Sequence, residues 1–386
     1  MKLERQLTIN TTNLEWSAGS FEAELHSILQ WWLNNMIDEN RGGFIGRIDG
    51  RGNKYPKAEK GLILNTRLLW TFSVAAKRCN NIAYRQAAHR AFQYLNSHFL
   101  DVANGGYYWM VDYLGQPTDF KKQIYGQAFA IYALGAYYEL STDERAADLA
   151  IELIWLIEKY SYDNLNGGYR SVFEEGWSQA NDMRLSAKDV DESKIMNTHL
   201  HILEAYASFY RVRPFPTLKT ALIRVLGLFE QYFCRPNGSL QIYFDDHWNP
   251  VGDHTSFGHD IEASWLLYEA AVLVQEEISI LKWKNICLHL AQKVLENGLG
   301  DRGALAYEAN AAGIVIYDDR HWWTQAEAVV GFWNAFELSA DPQYRDAAFS
   351  ILRYINQHLK DQQNGEWHWR VTGKNQPGYT EKKAGP

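Results

Sequence analysis

The sequence predicts an all-α protein, an (α/α)6 toroidal barrel with short β-hairpins gathered at one mouth. Two observations carry that expectation. A glycine turn followed by a short aromatic or β-branched run recurs six times at near-constant spacing. Between successive turns lie paired helix-period segments, and one member of each pair is apolar nearly all round.

The turns read Gly42-Gly43-Phe44-Ile45, Gly105-Gly106-Tyr107-Tyr108-Trp109, Gly167-Gly168-Tyr169 and Gly238-Ser239-Leu240-Gln241-Ile242-Tyr243. Gly303-Ala304-Leu305-Ala306-Tyr307 is weaker, and Gly365-Glu366-Trp367-His368-Trp369 completes the set. Taking Gly43, Gly106, Gly168, Gly238, Gly303 and Gly365 as markers, the intervals are 63, 62, 70, 65 and 62 residues.

The segment after each turn begins near Gly61, Lys122, Ser193, Phe257 and His321. Ile124-Tyr125-Gly126-Gln127-Ala128-Phe129-Ala130-Ile131-Tyr132-Ala133-Leu134 shows its character. A helix apolar on every side is a buried one. Its partners run through 22–37, 82–100, 143–162, 218–233, 278–299 and 342–361, and Asp143-Glu144-Arg145, Lys282 and Lys284 mark their exposed faces. Buried helices wrapped by amphipathic ones make a toroid, so residues 1–386 read as a single catalytic domain without a low-complexity linker. Six outer helices but five inner ones are predicted. The spacing puts the sixth inner helix near residue 385, so the expectation is a C-terminally incomplete barrel whose natural chain continues by about 15–25 residues.

Composition narrows the function. The 386 residues are 46% apolar, 22% charged and 14% aromatic, with a net charge of −8 and no basic run, which argues against nucleic acid. No apolar stretch approaches the roughly 18 residues that span a bilayer. The amino terminus lacks the apolar core of a signal peptide. Cys79, Cys234 and Cys287 are far apart with no C-x-x-C pair, which suits a reducing cytoplasm. Fifteen Trp, 23 Tyr and 17 Phe exceed what a helical core needs, and flat rings with one polar edge suit sugars. There is no G-x-G-x-x-G after a strand, no Walker pattern and no serine elbow.

Polar groups on buried helices must be paired or face a cavity. They are Asn65 and Arg67; Tyr125 and Gln127; Asn197, His199, His201 and Glu204; His259, Asp260 and Glu262; and Trp322, Trp323, Gln325 and Glu327. Nearly all fall in the first two turns, so they should converge at one mouth. His199 and His201 project about 200° apart, so one of them packs and the other faces the lumen. His199 is the one expected in the site. His259 and Glu262 share a face at i, i+3, a spacing that could hold a metal, but no second such pair exists and no metal is expected. A guanidinium at Arg67 amid Leu64, Leu68 and Trp70 is costly without an anionic task. Glu204 and Glu327 are expected to tie hairpins to helices. His254, His321 and His368 lie in or beside loops; His26, His89, His98, His289 and His358 belong to outer helices.

Four segments resemble the N-acylglucosamine 2-epimerase superfamily, most closely its cellobiose 2-epimerase branch. They are Lys60-Gly61-Leu62-Ile63-Leu64-Asn65-Thr66-Arg67-Leu68-Leu69-Trp70, Met196-Asn197-Thr198-His199-Leu200-His201-Ile202-Leu203-Glu204-Ala205-Tyr206, Ser256-Phe257-Gly258-His259-Asp260-Ile261-Glu262-Ala263-Ser264-Trp265 and Trp322-Trp323-Thr324-Gln325-Ala326-Glu327-Ala328-Val329-Val330-Gly331-Phe332. The resemblance implies inversion at carbon 2 of a reducing glucose or mannose unit through a cis-enediolate, without cofactor or metal. It makes His259 an acid/base catalyst, has Arg67 steady the enediolate, and lets His199 and Asn197 hold the sugar. Tyr125 and Glu262 would line the site and Trp322 would stack on the sugar, and Gln325, from its place on the buried helix, is expected among the substrate-binding residues. A second histidine is implied on a Trp-Lys-Cys-Pro-Tyr-His-Asn segment that would follow Lys383-Ala384-Gly385-Pro386.

Cellobiose is the expected substrate, handled by a monomer or homodimer. The alternatives are mannose 2-epimerisation or aldose–ketose isomerisation, with Asp189, Trp248, Asn249 and Tyr307 as the outer residues that would meet a second sugar. A glycoside hydrolase would need two carboxylates across a cleft, for which Glu262 and Glu327 are available.

Overall fold

The computed structural model describes residues 17–184, 190–274, 277–300, 302–379 and 382–384. In chain order its α-helices are α1 (Ala18–Met36), α2 (Leu62–Cys79), α3 (Ile82–Tyr94), α4 (Ile124–Ser141), α5 (Glu144–Leu156), α6 (Met196–Val212), α7 (Pro216–Leu228), α8 (Phe257–Val274), α9 (Glu277–Asn297), α10 (Trp322–Ser339) and α11 (Pro342–Tyr354). The even-numbered helices form the inner ring, each packed on the next from α2 to α10, and α3, α5, α7, α9 and α11 back them from outside. This is the (α/α)6 arrangement expected from the repeat. Inner helices start within three residues of their predicted positions.

Burial follows the residue pattern. On α4, residues of every face are buried, from Ile124 and Gln127 through Ile131 to Leu134 and Tyr137. On α5 only the stripe Ala146, Ala147, Ala150, Leu153 and Ile154 is buried. That stripe has the 3.6-residue period of a helix with one face on a core. Asn81, Asp143 and Asp341 cap outer helices by accepting from a backbone N–H two residues on, and Pro216 and Pro342 open α7 and α11.

The hairpins stitch the repeats together. A two-residue strand before each inner helix pairs with the hairpin of the following repeat, as Lys60–Gly61 does with Met110–Val111 and Lys194–Ile195 with Tyr243–Phe244. All of them therefore sit at the N-terminal mouth of the inner ring. The last repeat returns to the first. Trp31 Nε1 donates to the Asn364 carbonyl at 2.8 Å, Trp367 Nε1 donates to Glu24 at 2.8 Å, and Ile48–Asp49 pairs with Lys382–Ala384.

Each marker glycine has positive φ, between 60° and 81°. That left-handed backbone favours glycine, and the turn also passes close to its neighbours. A Cβ on Gly168 would stand 2.4 Å from the Trp248 ring and 3.2 Å from His199 Nε2. Three lysines missed in the sequence reading fix the same turns. Lys60, Lys122 and Lys194 are fully buried, paired to Asp38, Asp101 and Asp163 at 3.0, 2.8 and 3.2 Å. Each ammonium also lies over an aromatic ring, of Tyr94, Tyr108 and Trp248 respectively.

Candidate active site

Register along the inner helices sorts the polar residues into two groups. The fourth residue is Asn65, Gln127, His199, Asp260 or Gln325 in the five inner helices. Four of these reach back to the glycine turns. Gln127 accepts the Tyr107 N–H at 2.8 Å, His199 Nε2 accepts the Tyr169 N–H at 2.9 Å, Asp260 accepts the Leu240 N–H at 3.0 Å, and Gln325 accepts the Leu305 N–H at 2.8 Å. They are latches that hold the turn against the helix.

Two expectations are corrected here. Gln325 is fully buried, with its amide nitrogen donating to the Leu305 carbonyl and to Thr324, so nothing of it faces a ligand. His199 is likewise sealed. Its Nδ1–H donates to the Ile195 carbonyl at 2.8 Å while Nε2 accepts from Tyr169, and Phe233 and Trp248 pack on the ring. Burial pushes its pKa down to about 4. Both ring nitrogens serve the backbone, so the lumen position belongs to His201.

The sixth residue of each inner helix faces the lumen: Arg67, Phe129, His201, Glu262 and Glu327. The Arg67 guanidinium lies 4.8 Å over the Phe129 ring and donates to the Tyr125 hydroxyl at 3.3 Å. The His201 ring stands 4.9 Å from Tyr125, edge-on, and 4.8 Å from Phe129. Its Nδ1–H donates to Glu204 at 2.8 Å, and its Nε2 is 3.8 Å from Glu262 Oε1. Trp265 Nε1 donates to Glu327 at 3.0 Å. Burial holds the Glu262 carboxyl well above the ordinary carboxylate range; Glu327 and Glu204 push the same way and Arg67 opposes them. Burial also raises Glu327, to about 7. Burial thus favours the neutral form of the Glu262 carboxyl, and the Arg67 guanidinium pulls the other way.

Nearer the mouth, His259 shares a hydrogen bond of 2.8 Å with Ser256 Oγ and lies 5.0 Å from the Trp323 ring. Desolvation lowers its pKa to about 3, helped by His201 and His254, so the imidazole is neutral at working pH. Asn197 Oδ1 is buried and makes no hydrogen bond among the described residues. Trp322 packs 6.1 Å from Trp369, so Trp323 rather than Trp322 adjoins His259. Tyr307 stacks on His321 at 4.2 Å.

The outer residues proposed for a second sugar divide. Trp248 is buried, stacked on Tyr232 at 4.0 Å with its Nε1–H donating to the Asn166 carbonyl, and Asn249 closes a turn onto Asp245. These two serve the fold. Asp189 lies outside the described residues. No group of three His, Cys, Asp or Glu suited to a metal occurs among the described residues, and no described helix is long and apolar enough to cross a membrane.

His201 and Glu327, given packing roles in the sequence, had a signal available. Counted from the helix start, His201 falls in step with Arg67, Glu262 and Glu327, whereas His199 falls in step with Gln127 and Gln325.

Comparison with known proteins agrees with the fold. The profile of the N-acylglucosamine 2-epimerase (GlcNAc 2-epimerase) family matches residues 43–385. Cellobiose 2-epimerase of Bacteroides fragilis is 40% identical over 359 residues, covering 93% of this chain and 91% of that one. The Dictyoglomus turgidum enzyme of the same name is 36% identical, over 91% and 89% of the two chains. The structure of cellobiose 2-epimerase from Bacillus thermoamylovorans superposes with a TM-score of 0.90 at 35% identity, covering 95% of this chain and 94% of that one.

Proposed function

The chain belongs to the N-acylglucosamine 2-epimerase family, and from that premise we propose that it inverts carbon 2 of the reducing-end sugar of cellobiose through a cis-enediolate. The observation that carries the reading is the lumen set itself: His259, held neutral by burial, one turn from Glu262, whose carboxyl burial pushes up, with Arg67 and His201 across the same space. Its similarity to two cellobiose 2-epimerases over nine-tenths of the chain supports the substrate.

The chemistry follows from charge states. A neutral imidazole takes the proton from carbon 2, and a charged one could not. Its low pKa reflects desolvation, and the developing enediolate supplies the negative charge that stabilises the imidazolium. The enediolate puts anionic character on oxygens 1 and 2. A guanidinium fixed over Phe129 and held to Tyr125 meets that charge without reorganising, which in a poorly hydrated pocket is worth far more than in water. Burial favours the protonated form of Glu262, the form that donates a hydrogen bond or a proton to a sugar oxygen where a carboxylate would repel it. Asn197 Oδ1 offers a buried acceptor for a hydroxyl. Trp323 and Tyr307 give the mouth aromatic walls that suit the C–H faces of a sugar.

Incubation with cellobiose, lactose and mannose in D2O, resolved by chromatography and proton NMR, tests the reading. The expected product of cellobiose is 4-O-β-glucosyl-mannose carrying deuterium at carbon 2. Folded protein that leaves all three sugars unchanged would sink the proposal, and turnover of mannose alone would transfer it to the monosaccharide enzymes.

A further inference from the structure

Beneath the ring of Arg67, His201 and Glu262 the barrel is hollow a second time. A cavity of about 210 Å³ opens toward the C-terminal ends of the inner helices, lined among others by Trp70, Tyr132, Glu204, Ser208, Trp265 and Glu269. Trp70 and Tyr132 stack at 5.1 Å, and with Trp265 they give this cavity aromatic walls. Glu204 is among the residues lining the far cavity, and its carboxylate accepts the Nδ1–H of His201, whose Nε2 lies 3.8 Å from Glu262.

We propose that Glu204 is the solvent-side end of a proton relay, Glu262–His201–Glu204, which reaches water through the far cavity while the sugar fills the near mouth. The proposal rests on the epimerase reading above. A reducing sugar exposes a carbonyl only after its ring opens, so protons must move at the ring oxygen and oxygen 1 before and after carbon 2 reacts. A buried carboxyl that gives up its proton must recover it, and the occupied mouth blocks that route.

The relay balances. In one direction the Glu262 O–H breaks as His201 Nε2–H forms, and Nδ1–H breaks as Glu204 gains the proton. The imidazole exchanges tautomers and keeps its charge, and water in the far cavity takes or returns the proton at Glu204. The Glu262 gap of 3.8 Å exceeds a hydrogen bond, and a bridging water or a small turn of the carboxyl closes it.

The other charged groups around Glu204 are committed elsewhere. Glu269 on α8 accepts from Arg211 on α6 at 2.7 Å, Glu139 on α4 pairs with Lys77, Glu327 on α10 accepts from Trp265, and Arg67 on α2 faces Tyr125. A carboxylate oxygen only accepts, so its bond fixes the hydrogen of His201 on Nδ1 and leaves the Nε2 lone pair toward Glu262.

Four measurements decide the matter. Glu204→Gln keeps an acceptor for Nδ1–H but carries no proton, so both it and Glu204→Ala should lose about a hundredfold in kcat with KM nearly unchanged. Sodium formate should restore Glu204→Ala by entering the far cavity, and adding Ser208→Phe, which fills that cavity, should abolish the rescue. In 15N-histidine NMR spectra of the parent, His201 should carry its hydrogen on Nδ1. Sugar binding by calorimetry checks that each variant is folded, and the isosteric Gln variant keeps the test alive if the Ala variant is not.

A parental rate in either single variant overturns the relay, because Gln would then show an orienting role only. Loss without formate rescue, rescue that survives Ser208→Phe, or the opposite His201 tautomer overturns it as well. A parent protein that leaves cellobiose unchanged refutes the epimerase reading instead, and the NMR signature still judges the relay geometry.

Discussion

Replacing His199 by glutamine should leave fold and catalysis standing, because the protein already uses glutamine for the same task in two other repeats. Gln127 and Gln325 occupy the equivalent helix position and make both latch bonds, accepting one backbone N–H and donating to the same residue's carbonyl. His199→Ala is the contrasting perturbation. It leaves the buried Tyr169 N–H without its acceptor, at about 1–3 kcal/mol, and opens a void beside Phe233 and Trp248. Together these should cost about 3–5 kcal/mol. The glutamine variant should lose less than about 1.5 kcal/mol.

The latch also has a pH signature. The folded-state pKa of His199 is about 4 against an ordinary 6.5, so the unfolded chain binds the extra proton between those values. Stability therefore falls as pH drops from 6.5 toward 4, by an amount on the order of 3 kcal/mol from this residue alone. His199→Gln should flatten that part of the curve. Urea titrations at a series of pH values, with carbon-2 deuterium exchange assayed alongside, check both arms. A glutamine variant that keeps parental stability yet loses exchange would refute the latch assignment and return His199 to the site. An unchanged acid slope would refute the pKa argument.

Three further outcomes follow from the same geometry. His259→Ala should abolish deuterium exchange at carbon 2 while calorimetric sugar binding persists; full exchange in the variant removes His259 from the mechanism. Arg67→Lys replaces a planar fork by a point charge that cannot span two enediolate oxygens, so kcat should fall by about 2–4 kcal/mol in barrier height with a smaller change in KM; equal losses in binding and rate would assign Arg67 to ground-state binding. Gly168→Ala adds a Cβ at φ 79° against Trp248, and should destabilise the protein by about 1–3 kcal/mol without changing the pH profile of activity, as read by urea unfolding.

Much of the architecture was legible in the residues because it is periodic. Gly43, Gly106, Gly168, Gly238, Gly303 and Gly365 mark turns that need a left-handed backbone, and that need is written in the residue type itself. The all-round apolar run of α4 and the one-faced run of α5 likewise state which helix is inside. Arg67, Tyr125, Asn197, His259 and Glu262 stand out in the sequence because a polar group on a buried helix needs a partner or a cavity.

The rest required three dimensions. Lys60, Lys122 and Lys194 look like surface charges in the sequence, and their burial depends on aspartates about 20–30 residues away that only the folded turn brings within 3.2 Å. His199 and His201 carry the same side chain two residues apart, and register along α6 separates them once the start of the helix is fixed. The choice is made by what stands opposite each ring: a backbone N–H of the neighbouring glycine turn for His199, and the carboxyls of Glu204 and Glu262 for His201. A sequence fixes which groups a helix presents at each angle, but a group's chemistry is set by its partner, and a partner such as Glu262 for His201 lies on another helix that only the fold brings near.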